Sequence, residues 1–208
     1  MIQLTDKKTI SRYKEYLKAN LSKKRYNHSL NVAQSAVELA KLYGEDEDKA
    51  LIAGLLHDVA KELPAERQLE YVKQSELSVD EVETKAHALF HAIAGAEIAM
   101  RVFGIDDMDI ILAIRWHTVA AGDMSRLAAI VYLADLISAD RDYKDVKRMR
   151  KLAVSGLEKA MYEALKFSVG DSVEKGNTIP VSTIMAYNRF LNETNKKEKL
   201  EKQKKGAV

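Results

Sequence analysis

Apolar residues return every three or four positions through almost the whole chain, and only two prolines stand among its 208 residues. That is the repeat of a helix, whereas a strand would alternate every second residue. A chain patterned this way is expected to be all-α, and its length suits a single compact helical bundle that buries most of its apolar surface. A first helix is expected over 5–20, and a second from Ser22, an N-cap residue, to Gly44, a C-terminal stop, with Val32, Ala36, Leu39 and Tyr43 at helical spacing. Asp46 can cap a third helix ending near Asp58, Pro64 suits the first turn of a fourth, and Ser78 can cap another. Ala88 to Phe103 reads as a buried helix stopped by Gly104, and Asp106 opens the helix that carries Trp116 and His117. A strongly apolar helix is expected over 123–138. Two more are expected near 145–174 and 180–203, separated by Gly176, Asn177 and Pro180. The pattern contains no internal repeat and no linker, so residues 1–194 are expected to form one domain.

Composition narrows the chemistry. Hydrophobic residues make up 47% and charged residues 31%, which argues against a disordered chain, and no apolar run approaches the roughly 20 residues of a membrane span. The first residues, MIQLTDKKTISRYKEYLK, put charges where a secretory signal needs an apolar stretch, so the expected location is cytoplasmic. The absence of cysteine excludes disulfides, thiolate metal sites and cysteine nucleophiles; any metal must be held by His, Asp and Glu. Six Lys and two Glu crowd into 195–205, leaving a near-neutral body, so 195–208 is expected to be a frayed, solvated basic tail and nucleic acid an unlikely partner. Helical periodicity does not distinguish a core from a homodimer surface, which stays open.

Five histidines stand at 28, 57, 87, 91 and 117, with an adjacent His57–Asp58 pair and with Asp135 inside the apolar run IVYLADLIS. A buried lone carboxylate costs several kcal/mol, on the order of the penalty for any unpaired buried charge, so a cation is the simplest companion for Asp135. Neighbours on an ideal helix diverge by about 100°, so His57 and Asp58 can serve one centre only near a helix end or on an enclosed helix. The following Lys61-Glu62-Leu63-Pro64 supports an end.

The ordered set His28, His57–Asp58, Asp135 resembles the HD-domain metal-dependent phosphohydrolase superfamily, with its H…HD…D pattern, and His91 and His117 match the subset that binds two metals. RYNHSLNVAQSA at 25–36, AGLLHDVAKEL at 53–63, LFHAIAGAE at 89–97, WHTVAAGDMSRLAAIVYLADLISADR at 116–141 and TIMAYNRFL at 183–191 look like the symmetrical bis(5′-nucleosyl)-tetraphosphatase (YqeK-type) family, over about residues 10–193. The resemblance implies an HD-domain bundle that hydrolyses diadenosine tetraphosphate to two ADP at a two-metal centre, commonly iron. It implies that His28, His57 and Asp135 complete one site with Asp58, that His91 and His117 hold the other, and that a hydroxide bridging the metals attacks.

Imidazole and carboxylate ligands suit Fe, Mn, Co, Ni or Zn more than Ca, and the two oxygens of Asp58 allow it to bridge. Beside Asp58 as a catalytic residue, Lys61 stands three positions on, placed to contact a substrate phosphate. Arg25, one turn before His28, Thr118 and Arg141 are further candidates for phosphate contact. His87, one turn from His91, is expected outside the centre, and Trp116 in the core. Two stretches depart from the family. Val119-Ala120-Ala121-Gly122 replaces the usual glycine and basic residue after His117-Thr118, and Ser138 and Ala139 replace the usual acidic residue and proline before Arg141. Another nucleotide phosphohydrolase activity, or a nucleotide-binding regulatory module with a structural metal centre, fits the same ligand set.

Overall fold

A computed structural model describes residues 6–206, which contain ten α-helices and, among the described residues, no strand. The helices are α1 (Lys7–Asn20), α2 (Lys23–Tyr43), α3 (Glu47–Leu56), α4 (Ala65–Gln74), α5 (Phe90–Arg101), α6 (Met108–Trp116), α7 (Arg126–Ile137), α8 (Val146–Ser155), α9 (Leu157–Glu174) and α10 (Val181–Gly206). No helix among the described residues is long and apolar enough to cross a membrane.

Local chemistry accounts for several of these boundaries. The side chains of Asp6, Ser22, Asp46, Asp107 and Ser125 accept backbone N–H groups at the starts of α1, α2, α3, α6 and α7, supplying partners that the first turn of a helix otherwise lacks. Gly44 ends α2 at φ 70°, a left-handed conformation that costs glycine little.

α3, α6 and α7 are apolar on nearly every face and form the centre of the bundle. α2 packs on α3 and α7, α5 on α6, α8 and α9 lie against α7 and each other, and α10 packs on α9. The approach of α2 to α3 is close because residue 54 is glycine: a Cβ there would stand 2.9 Å from the Ala33 Cα. This contact fixes the distance between the helix carrying His28 and the one that leads into His57.

Several expected elements are corrected. Ser78 caps no helix. Its carbonyl accepts from Nε and Nη2 of Arg115, and the chain runs on through two short 3₁₀ turns, Glu83–Lys85 and His87–Leu89, before α5 begins at Phe90. Asp107, not Asp106, caps α6. The helix expected over 145–174 is two, α8 and α9, separated at Gly156, whose backbone is extended. The tail expected to fray from 195 is helical through Gly206 as part of α10, where Lys197 and Glu198 pair with Glu158 and Lys159 of α9. Residues 207 and 208 lie outside the described residues.

The irregular segment before α5 is anchored by charge. Arg115 is fully buried on α6, with Nη2 2.6 Å from Oε2 of the equally buried Glu83 and its guanidinium 4.1 Å from the Trp116 ring. Asp80, in the same segment, accepts the Val181 N–H at 2.8 Å and so ties in the start of α10.

Candidate metal centre

Four helix termini and one helix side meet at the site. α3 ends at Leu56, so His57 and Asp58 lie at a helix end, where neighbouring side chains can converge. His117 follows the last residue of α6, His91 is the second residue of α5, Asp135 lies in the last turn of α7, and His28 projects from the side of α2.

The histidines are oriented by a repeated device. His57 Nδ1 donates to the Gly54 carbonyl at 2.7 Å, His91 Nδ1 to the Ala88 carbonyl at 2.9 Å, and His117 Nδ1 to the Ile114 carbonyl at 2.7 Å, each three residues back. A carbonyl oxygen only accepts, so Nδ1 carries the proton and the Nε2 lone pair of the neutral ring faces the centre. His28 differs: its Nδ1 lies 2.8 Å from a carboxylate oxygen of Asp140.

Asp58 sits in the middle. Its Oδ2 is 3.4 Å from His57 Nε2 and 3.9 Å from His28 Nε2, while its Oδ1 is 3.5 Å from His91 Nε2 and 3.6 Å from His117 Nε2. Asp135 Oδ1 adds 2.9 Å to His28 Nε2 and 3.8 Å to His57 Nε2. The ligand atoms of His28, His57 and Asp58, of His57, His117 and Asp135, and of Asp58, His91 and His117 all lie within 4.8 Å of one another in their groups. His57 Nε2 is buried with no hydrogen-bond partner. An orphaned, inward-facing imidazole nitrogen between two carboxylates fits a divalent cation, and a nitrogen and oxygen donor set of this kind suits a transition metal.

The electrostatics agree. Burial works to raise the Asp58 carboxyl, but the electrostatic influence of the surrounding imidazoles, His57 foremost and then His117, outweighs it and holds the group well below the usual carboxylate range. Asp135 is likewise held low against its burial, by the His28 hydrogen bond and the His57 and Arg141 charges. Burial, reinforced by His117 and Lys61, pushes His91 well below its ordinary value and keeps it neutral, as a metal ligand must be. For His57 burial pulls down, yet the two carboxylates raise it overall.

A cleft of about 240 Å³ opens above the cluster, lined by Arg25, Lys61, Thr118, Tyr132, Arg141 and Ser168 as well as Asp58, His91, His117 and Asp135. Arg25 Nη1 is 2.6 Å from Asp58 Oδ2, Lys61 Nζ 3.0 Å from His91 Nε2, and Arg141 contacts both the carboxylate and the carbonyl of Asp135. Burial lowers the Lys61 ammonium from its ordinary value, with Arg25 and Arg141 adding to the effect and Asp58 and Asp135 opposing it. Thr118 Oγ1 lies 2.9 Å from His117 Nε2 and 3.2 Å from His91 Nε2.

All six candidate ligands and all four candidate substrate contacts thus come to one place. His87 does not: it is exposed in a 3₁₀ turn, its ring against Phe90. Trp116 is buried under Arg115. Sequence reasoning missed Asp140, Tyr132 and Ser168. Tyr132 lies one turn before Asp135 on the same face of α7, a spacing that could have marked it. Its hydroxyl is 3.0 Å from Ser168 Oγ, and burial pushes it up to about 12, so it remains a neutral phenol. Ser168 comes from α9 and carried no local signal.

An all-helical bundle that gathers H…HD…D side chains at one cleft defines an HD-domain protein. The family model described as HD domain matches residues 25–140, and the chain belongs to this family. It is 33% identical over 177 residues to a symmetrical bis(5′-nucleosyl)-tetraphosphatase of Halalkalibacterium halodurans, covering 85% of this chain and 94% of that one. Its identity to the enzyme of the same name from Bacillus subtilis (strain 168) is also 33%, over 83% of this chain and 92% of the other. A crystal structure from Clostridium acetobutylicum, described as a predicted HD superfamily hydrolase involved in NAD metabolism, superposes with a TM-score of 0.84 at 38% identity, covering 88% of this chain and 97% of that one.

Proposed function

We propose that the chain hydrolyses diadenosine tetraphosphate and related dinucleoside polyphosphates symmetrically, to two ADP in the case of diadenosine tetraphosphate. The observation that carries the reading is the position of Asp58, one oxygen toward His28 and His57 and the other toward His91 and His117, beneath a cationic cleft. The likeness to two relatives bearing that activity in their names, over most of both chains, supports the substrate.

His28, His57, Asp58 and Asp135 would hold one divalent cation, and Asp58, His91 and His117 a second, with iron the proposed metal and Mn, Co, Ni or Zn able to replace it. Cations so held supply an activated water at neutral pH and neutralise charge on a phosphoryl group. The protein's own part is positioning and electrostatics, which carry most of the catalysis in phosphoryl transfer. Arg25, Lys61 and Arg141 offset the charge of the polyphosphate, and Lys61, nearest His91, is placed to stabilise the phosphoryl group under attack. Thr118 and the neutral Tyr132 hydroxyl offer hydrogen bonds that do not depend on charge. The cleft is smaller than the roughly 300–1,000 Å³ of a drug-sized pocket, so it takes the phosphate chain and leaves the nucleosides at its rim. Attack at a phosphorus one removed from a nucleoside then expels a nucleoside diphosphate.

Anaerobic incubation of the Fe²⁺-loaded protein with diadenosine tetraphosphate tests this, with products resolved by chromatography. ADP is expected as sole product and is lost in His57→Ala and Asp58→Ala. ATP plus AMP would overturn the site of attack, and intact substrate with confirmed metal occupancy would overturn the activity.

A further inference from the structure

Three of the four histidines at the centre are held by a carbonyl of their own chain segment three residues back; His28 is held by a side chain from elsewhere. We propose that Asp140 is a positioning residue for the metal centre: its carboxylate fixes the His28 ring so that Nε2, rather than Nδ1, faces the cations. This inference rests on the metal-centre reading of the preceding section.

The geometry is specific. Asp140 Oδ2 lies 2.8 Å from His28 Nδ1, and its other oxygen accepts from Asn31 Nδ2 at 3.1 Å. Asn31 is one helical turn beyond His28 on α2, so the same helix presents both partners and fixes the carboxylate in two directions. The loop bearing Asp140 is held independently of His28. Arg150 on α8 donates to the carbonyls of Ile137, Ser138 and Arg141, and the Arg141 N–H donates to the Ser138 carbonyl at 3.0 Å. A carboxylate on such a frame can impose an orientation on the ring rather than follow it.

The reason for a carboxylate lies in the backbone. His28 stands inside α2, where the carbonyls three and four residues back are engaged by the helix, whereas His57 and His117 stand just past helix ends and His91 near a helix start. An interior histidine needs an outside acceptor to fix its tautomer. A carboxylate in that role also makes the imidazole a stronger donor to a metal than a carbonyl does.

The test is metal affinity, read by competition of Mn²⁺ against a chelating dye, in the wild type and in Asp140→Ala, Asp140→Asn and Asp140→Glu. Asp140→Ala is expected to weaken Mn²⁺ binding by about 10- to 100-fold, the usual range for a partner behind a ligand. Asp140→Asn should fall between, Asp140→Glu should recover part of the loss, and the melting temperature in chelator should stay at the wild-type value. In a His28→Ala background, Asp140→Ala should cost nothing further, because a residue acting through His28 has nothing left to act on. Unchanged affinity in Asp140→Ala, a loss that follows lower stability of the metal-free protein, or an undiminished effect without His28 would each overturn the proposal. Failure of the wild type to bind Mn²⁺ would instead sink the metal centre itself.

Discussion

Two largely buried clusters of ionisable side chains behave as opposites. Arg115 and Glu83 form an ion pair: one cation, one anion, a stacked ring and a carbonyl, with the charges balanced inside the protein. At the centre, Asp58 and Asp135 face four imidazoles whose nitrogens point at one another, and the balancing cations stand at the rim of a cleft. Burial alone therefore does not mark function. What separates the clusters is how charge is balanced: in the pair one cation meets one anion, although Arg115 Nη1 and Glu83 Oε1 have no further hydrogen-bond partner, whereas at the centre several ligand atoms converge within 4.8 Å of one another. The pair pins an irregular segment against α6, and the centre presents donors to something from outside.

The comparison can be broken most sharply at Asp58. Replacing it with Asn should reduce diadenosine tetraphosphate hydrolysis by about three orders of magnitude, since a metal's charge stabilisation is worth several kcal/mol and each 1.36 kcal/mol is tenfold. The melting temperature in chelator should not fall. A variant that keeps its turnover would remove the centre from the chemistry. At the pair the balance should reverse: Arg115→Met leaves Glu83 buried and uncompensated and should lower the unfolding free energy by about 3–5 kcal/mol in denaturant titrations. Adding Glu83→Gln should recover a large part of that, and no recovery would mean that Arg115 acts by shape and not by charge.

Metal supply offers a third test. Mn²⁺ at a hundred times its dissociation constant should stabilise the wild type by about 2.7 kcal/mol in the same titration, the mass-action value for a ligand of the folded state. Asp58→Asn should lose this gain and Arg115→Met should keep it. The smallest effect belongs to a pair near the surface, Lys49–Asp107 at 2.8 Å. Partial burial works to raise the Asp107 carboxyl, but the Lys49 hydrogen bond outweighs it and lowers the group from its ordinary value. A carboxyl lowered on folding stabilises above its unfolded value near 4 and loses that contribution as pH falls through the folded value. Asp107→Asn retains a good helix cap, so at pH 7 it should cost under about 1 kcal/mol, and the difference from wild type should shrink in acid melts. A cost as large as that of Arg115→Met would show that burial is not what separates the pairs.

Much of this was legible in the sequence because it is periodic or local. The helical repeat announces the bundle, Ser22 and Gly44 bound α2, and the adjacency of His57 and Asp58 forces a helix end. What escaped has no period. Ser78 has the residue type of a cap, yet its carbonyl is taken by Arg115 from a helix 37 positions on, and only the folded chain brings them together. Asp140 reaches back 112 positions to His28, and Ser168 reaches Tyr132 across a helix pair. The stretch 145–174 is helical in pattern on both sides of Gly156, and a single extended residue there turns one expected helix into a hairpin of two.

The helix ends at the centre also set up a field. α3, α6 and α7 all run toward the cluster and finish there, at Leu56, Trp116 and Ile137, while α5 starts there at Phe90. Each helix carries about half a negative unit charge at its C-terminus and about half a positive one at its N-terminus. Three negative poles against one positive make the floor of the cleft attractive to cations before any carboxylate is counted, and by the same sign unattractive to a polyanion. A phosphate chain approaching it would be turned away but for Arg25, Lys61 and Arg141 at the rim, so cation capture and anion admission are divided between the backbone below and the side chains above.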